Sequence, residues 1–114
     1  MATNELAVAI PDAFPVGPGH TLVVPRRHVT EFFDLTGDEQ TAVWRLVAIV
    51  RANLQETRKP DGFNVGLNAG AAAGQTVPHA HVHVIPRYTG DSRDPRGGVR
   101  HVIPAKARYW KDEP

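Results

Sequence analysis

Three of the six histidines fall within five residues, as His79-Ala-His81-Val-His83. Successive side chains on a strand point to opposite faces, so this spacing predicts three imidazoles on one face, with Ala80 and Val82 on the other. A row of that kind cannot be buried without polar partners. One chemistry open to it is metal binding, since imidazole is the commonest metal ligand near neutral pH. At about 3.3 Å per residue, however, His79 and His83 would sit roughly 13 Å apart along the strand, whereas the ligands of one zinc lie about 2 Å from it. A metal site would need a carboxylate or a further imidazole such as His20. The other chemistry is nucleophilic and acid–base catalysis, in which one neutral ring attacks while a neighbour supplies positive charge or a proton. Protonating one ring disfavours protonating the next, which keeps an attacking ring neutral. His81 has a neighbour on each side and is the expected nucleophile.

The elements that must position these rings are legible in outline. The small-residue loop 70–75 ends just before the triad, so its amides and the Thr76 hydroxyl are placed to line an anion site. Together with the imidazoles they point to phosphate. Residues 6–10, 21–24, 63–67, 79–85 and 99–103 read as five short strands, several of them bounded by Pro or Gly. Residues 29–35 read as an irregular helical turn. Thr36-Gly-Asp-Glu39 matches a capping box, and Ala42, Val43, Leu46, Val47, Val50 and Leu54 make one apolar stripe before Pro60. The expected fold class is α+β: an antiparallel sheet of about five strands carrying one long amphipathic helix.

With 114 residues and 12.4 kDa, residues 1–114 are read as a single domain, its core over about 6–103 and a C-terminal tail over 104–114. A composition of 41% hydrophobic and 22% charged residues excludes a disordered linker. Thirteen basic against twelve acidic residues leave a net charge of +1, without the basic footprint of a general nucleic-acid binder, so the expected partner is a small molecule. The absence of cysteine excludes disulfides, thiolate zinc sites and cysteine nucleophiles. The longest apolar stretches, 6–10 and 46–50, are five residues each, far short of the roughly 20 that span a bilayer. No membrane partner is expected. The N-terminal residues show no basic region ahead of the apolar run, so no secretory signal is read and a cytoplasmic location is expected. His28 and His101 read as solvated or capping residues, Arg26 and Arg27 as a solvated edge, and Tyr109 and Trp110 as docking on the body.

The run His79-Ala-His81-Val-His83-Val-Ile85 resembles the signature of the histidine triad (HIT) family. Gly74-Gln75-Thr-Val ahead of it, Asn68 seven residues before Gln75, and Pro18-Gly19-His20-Thr-Leu-Val-Val-Pro25-Arg-Arg-His28 extend the resemblance over roughly residues 6–88. It implies a nucleotide hydrolase or nucleotidyl transferase acting on a nucleoside monophosphate joined through its α-phosphate to a leaving group. By that resemblance His81 attacks phosphorus to give a nucleotidyl-histidine, and water or another acceptor then releases the nucleotide. The His79 carbonyl would hold the His81 Nδ1 proton, His83 would contact phosphate or leaving group, and His20 would hydrogen-bond into the triad. Asp12 would bind ribose, Asn68, Gln75 and Thr76 would contact phosphate and leaving group, and Ile10 and Phe14 would line the base slot. No cofactor or metal is implied, and a homodimer with its sheets continued across a two-fold axis is. Asp12 and Asn68 resemble the nucleotide-binding branch, which cleaves phosphoramidates. Ile85-Pro86-Arg87 resembles the fragile histidine triad branch, which splits dinucleoside polyphosphates. The alternative is a purine-nucleotide-binding regulatory module with incidental catalysis.

Overall fold

The computed structural model describes residues 2–111; Met1 and residues 112–114, the end of the expected tail, lie outside the described residues. Thr36 caps helix α1 (Gly37–Arg58). Its hydroxyl accepts the Glu39 N–H at 3.1 Å, and the Glu39 carboxylate accepts the Thr36 N–H at 2.9 Å, which satisfies two donors the first turn would otherwise leave open. The Arg27 guanidinium forks onto the same carboxylate at 2.8 and 3.0 Å. That pairing, with the Thr36 amide, holds the Glu39 carboxyl down at about 2. The helix ends at Lys59, in the left-handed region with φ 48°, and Pro60 prevents its resumption.

Strands β1 (Ala7–Pro11), β2 (Thr21–Pro25), β3 (Gly62–Gly66) and β4 (Val82–Arg87) form one antiparallel sheet in the order β1-β2-β4-β3. Val43, Leu46, Val47 and Val50 of α1 pack on Ala7, Ala9, Val23, Val82 and Val84. Each fully buried aliphatic side chain contributes about 1.5–3 kcal/mol, so this layer is the main source of stability. Because side chains alternate, burying Val82 and Val84 turns His83, Ile85 and Arg87 to the uncovered face, where Leu22 and Val24 of β2 join them. A 3-10 turn, Phe32–Asp34, buries Phe32 and leaves Phe33 exposed. No helix among the described residues is long and apolar enough to cross a membrane.

The sheet has four strands among the described residues rather than about five. Residues 99–102 of the stretch 99–103, expected as a strand, belong instead to a 3-10 segment, Gly98–Val102, which Ile103 caps. Gly97 and Gly98 turn the chain at φ 91° and 45°, and Arg100 donates to the carbonyls of Ala107 and Lys106, drawing the segment onto helix α2 (Pro104–Ala107) instead of a sheet edge. Trp110 docks there, its ring under the Arg96 guanidinium at 4.8 Å, while Tyr109 stays exposed. The triad strand also starts later than expected. Its ladder to β2 runs only from Val23↔Val82 to Thr21↔Val84, so residues 79–81 precede the regular strand. Past Val84 only β3 pairs with β4, and Pro86 is tolerated there because it has no second ladder to interrupt.

Candidate active site

The uncovered face of the sheet and the loops around it enclose a cavity of about 600 Å³. His20, His79, His81, His83, Asp12, Asn68, Gln75, Thr76, Ile10 and Phe14 all line it, although they come from β1, the β1–β2 loop, the segment after β3, the glycine-rich loop and its exit, and the triad segment. Val16, Leu22, Val24 and Val77 complete its apolar walls and were not singled out from sequence. A larger cavity of about 830 Å³ touches Asp12 and His20 from the α1 side but contains no triad histidine.

Backbone groups assign the protons on the rings. His81 Nδ1 lies 2.7 Å from the His79 carbonyl, which can only accept, so Nδ1 carries the proton and Nε2 keeps its lone pair. His20 works the other way. Its Nδ1 accepts the Val16 N–H at 3.1 Å, so its proton is on Nε2. That proton is offered to His83 Nδ1 at 2.9 Å, with Asp12 Oδ2 at 3.3 Å beside it. His83 Nδ1 is therefore an acceptor, and the His83 proton sits on Nε2 as the donor that ring offers to the cavity. The His81 and His83 rings meet edge to face, centroids 5.0 Å apart. A lone pair on one and an N–H on the next are thus set side by side.

Burial pushes His20 and His83 below the ordinary imidazole value. For His83 the neighbouring His81 and His20 add to that push, and in both rings the Asp12 carboxylate opposes it. Asp12 Oδ2, His20 Nε2 and His83 Nδ1 lie within 4.8 Å of one another, the spacing of a possible cation site. The Val16 N–H on His20 Nδ1 decides against that use, because a neutral imidazole accepting there has a proton, not a lone pair, at Nε2. These residues fit a directed relay, Val16 to His20 to His83, better than a metal.

The polar groups of the glycine-rich loop are engaged as follows. Within the glycine-rich loop the Gly70 amide donates to Gln75 Oε1, Ala73 and Gln75 donate to the Gly70 carbonyl, and Gly74 donates to Ala71. Those amides stabilise the loop itself. Gln75 lines the cavity, yet its Nε2 donates to Thr30 O at 2.6 Å and Val77 O at 3.1 Å. In contrast, the Asn68 carboxamide and the Thr76 hydroxyl are exposed and make no hydrogen bond among the described residues. Asp12 is fixed by its own Oδ1, which accepts the Phe14 N–H at 2.8 Å. Phe14, 89% exposed, stands at the mouth. Among the described residues no Lys or Arg lines the cavity: Arg27 is spent on Glu39, and Arg26 donates to the Asn4 carbonyl. His28, read from sequence as solvated or capping, instead meets His79, ring nitrogens 2.8 Å apart. The two residues are 51 positions apart, and no local pattern signals such a contact.

A sheet with one helical cover and a row of imidazoles on its open face defines a histidine-triad fold, and the chain belongs to the HIT domain family, whose model matches residues 1–90. An uncharacterised HIT-like protein of Mycoplasma genitalium is 46% identical over 85 residues, covering 75% of this chain and 60% of the relative. A Mycobacterium tuberculosis protein named AP-4-A phosphorylase is 40% identical over 93 residues, covering 81% and 48%. The crystal structure of a HIT family protein from Bacillus anthracis superposes with a TM-score of 0.75 at 36% identity, covering 80% of this chain and 64% of that one. The chain thus spans about half to three fifths of the length of the curated relatives it matches.

Proposed function

We propose that this chain is a nucleotide hydrolase or nucleotidyl transferase that breaks a bond to the α-phosphate of a nucleoside monophosphate conjugate through a covalent intermediate on His81. The observation that carries the reading is the pair of opposed tautomers: His81 Nδ1–H held on the His79 carbonyl leaves Nε2 as a nucleophile, beside a His83 whose Nδ1 is occupied by His20. In the first step His81 Nε2 bonds to phosphorus and the leaving group departs with the electrons of its own bond, taking a proton from solvent where it leaves as an amine. The ring becomes cationic and its Nδ1–H bond to the carbonyl strengthens. His83 Nε2–H, Asn68 and the Thr76 hydroxyl supply donors to the phosphoryl oxygens, where charge builds. In the second step water attacks phosphorus and gives up a proton to the solvent, the P–N bond breaks with its electrons returning to Nε2, and the nucleotide leaves with His81 neutral again. Asp12 holds the ribose, Ile10 and Phe14 flank the base, and Gln75 shapes the loop.

The preferred leaving group follows from charge. A phosphoramidate brings little negative charge to a cavity without Lys or Arg, whereas a dinucleoside polyphosphate, the substrate type named for the Mycobacterium tuberculosis relative, needs a bound divalent cation to offset its own. The test is nucleotide release from adenosine 5′-phosphoramidate and from diadenosine tetraphosphate, each with Mg²⁺ and with EDTA. Cleavage of either supports the reading, and silence on both contradicts it. Adding inorganic phosphate separates acceptors, since phosphate attack on the intermediate yields a nucleoside diphosphate and water a monophosphate.

A homodimer is the expected assembly. β3 is a sheet edge, and Phe63 and Val65 on it are only partly buried, so pairing β3 with its copy would continue the sheet across a two-fold axis. Light scattering after size exclusion reads the mass, and a strictly monomeric chain at micromolar concentration would rule this out.

A further inference from the structure

The nucleophile does not stand on the regular part of its strand. β4 begins at Val82, so the backbone of residues 79–81 receives no ladder bonds and must be held by other means. Residues 28–30 provide them. Val29 O accepts the Ala80 N–H at 2.7 Å, Thr30 Oγ1 donates to Pro78 O at 3.3 Å, and His28 Nδ1 lies 2.8 Å from His79 Nδ1.

The last of these contacts has a determined polarity. His79 Nε2 lies 3.0 Å from the Pro25 carbonyl, an acceptor with no proton to give, so the neutral His79 ring carries its proton on Nε2. Its Nδ1 is then a lone pair and His28 must be the donor. The His79 ring is thereby clamped between Pro25 and His28, and the same residue's carbonyl accepts the Nδ1 proton of His81. We propose that His28 is a positioning residue for the nucleophile: by fixing the His79 ring it fixes the His79 carbonyl, and with it the tautomer and aim of His81. This rests on the reading of His81 as nucleophile. His28 itself is exposed and does not line the cavity, so it acts only through His79.

The test compares His28→Ala with His28→Asn, whose amide N–H can donate from nearly the place of the ring Nδ1–H. Small misplacements of a reacting group cost up to about a hundredfold in rate. His28→Ala should lower kcat for nucleotide release about tenfold to a hundredfold, with KM nearly unchanged, and His28→Asn should recover most of the loss. A second readout needs no substrate. Long-range ¹⁵N–¹H spectra of the free protein should show His81 with its proton on Nδ1 in the wild type and in His28→Asn, and a mixture of tautomers in His28→Ala. A His81 tautomer unaltered by His28→Ala overturns the proposal whether or not any nucleotide is cleaved. A wild type that cleaves nothing, in which His28→Ala still shifts the tautomer, leaves the clamp standing and defeats the hydrolase reading instead.

Discussion

Replacing His20 with Phe tests the relay behind His83. Phe retains a ring at a position that is 4% exposed, so packing changes little, but both nitrogens are lost. Two hydrogen bonds disappear with them, from the Val16 amide and to His83 Nδ1. At about 1 kcal/mol each this amounts to roughly 2 kcal/mol. For a domain of this size the melting temperature should fall on the order of 10 °C. The chemical consequence is separate. Without a donor at its Nδ1, His83 is free to move its proton there, and the N–H facing the cavity is no longer assured. Because removing one donor aimed at developing charge costs about 10²- to 10³-fold in kcat, kcat should fall about a hundredfold with KM altered less than about threefold. His20→Gln places an amide N–H near the lost Nε2–H and should restore most of kcat while leaving the Val16 bond unmade. The assay is steady-state nucleotide release at a temperature where circular dichroism shows each variant folded. A folded His20→Phe variant with wild-type kcat would refute the relay and reduce His20 to a packing role.

Three further outcomes are expected. The folded-state pKa of His83 is lowered, chiefly by burial, so the unfolded chain binds more protons in mild acid: stability is fully present above pH 6.5 and lost as pH falls through the folded value. Melting curves from about pH 5 to 7 should therefore fall more steeply on the acid side for the wild type than for His83→Gln, and parallel curves would contradict this. Thr36→Ala removes the α1 cap and should cost about 1 kcal/mol, or about 4–8 °C in melting temperature, without changing kcat. Asn68→Ala should lower kcat/KM about tenfold at unchanged melting temperature, because its carboxamide has no partner to lose among the described residues; a drop in stability instead would assign it to the fold.

The parts of the structure that obey a local period were legible in the sequence. The stripe from Val43 to Val50 and the alternation of Ala80 and Val82 against the histidines forecast which faces are buried, and the capping box marked the start of α1. What escaped were contacts set by tertiary geometry. Val99 to Ile103 has strand-like composition, but the Arg100 side chain and two left-handed glycines fold it onto α2. The loop 70–75 has the composition of an anion cradle, and only the hydrogen-bond directions show the amides of Gly70, Ala73, Gly74 and Gln75 and the Gln75 carboxamide bonded within the chain. His28 in Arg26-Arg-His28 resembles any exposed basic run until folding brings it onto His79.

That His81 Nε2 bonds to phosphorus is tested most directly by rapid acid-free quench of the enzyme with a substrate labelled in the α-phosphate, followed by proteolysis and mass spectrometry. A base-stable, acid-labile nucleotidyl adduct on the peptide carrying His81, formed at least as fast as turnover and absent in His81→Ala, is the predicted result. Full turnover in His81→Ala, or an adduct on another residue, would contradict it.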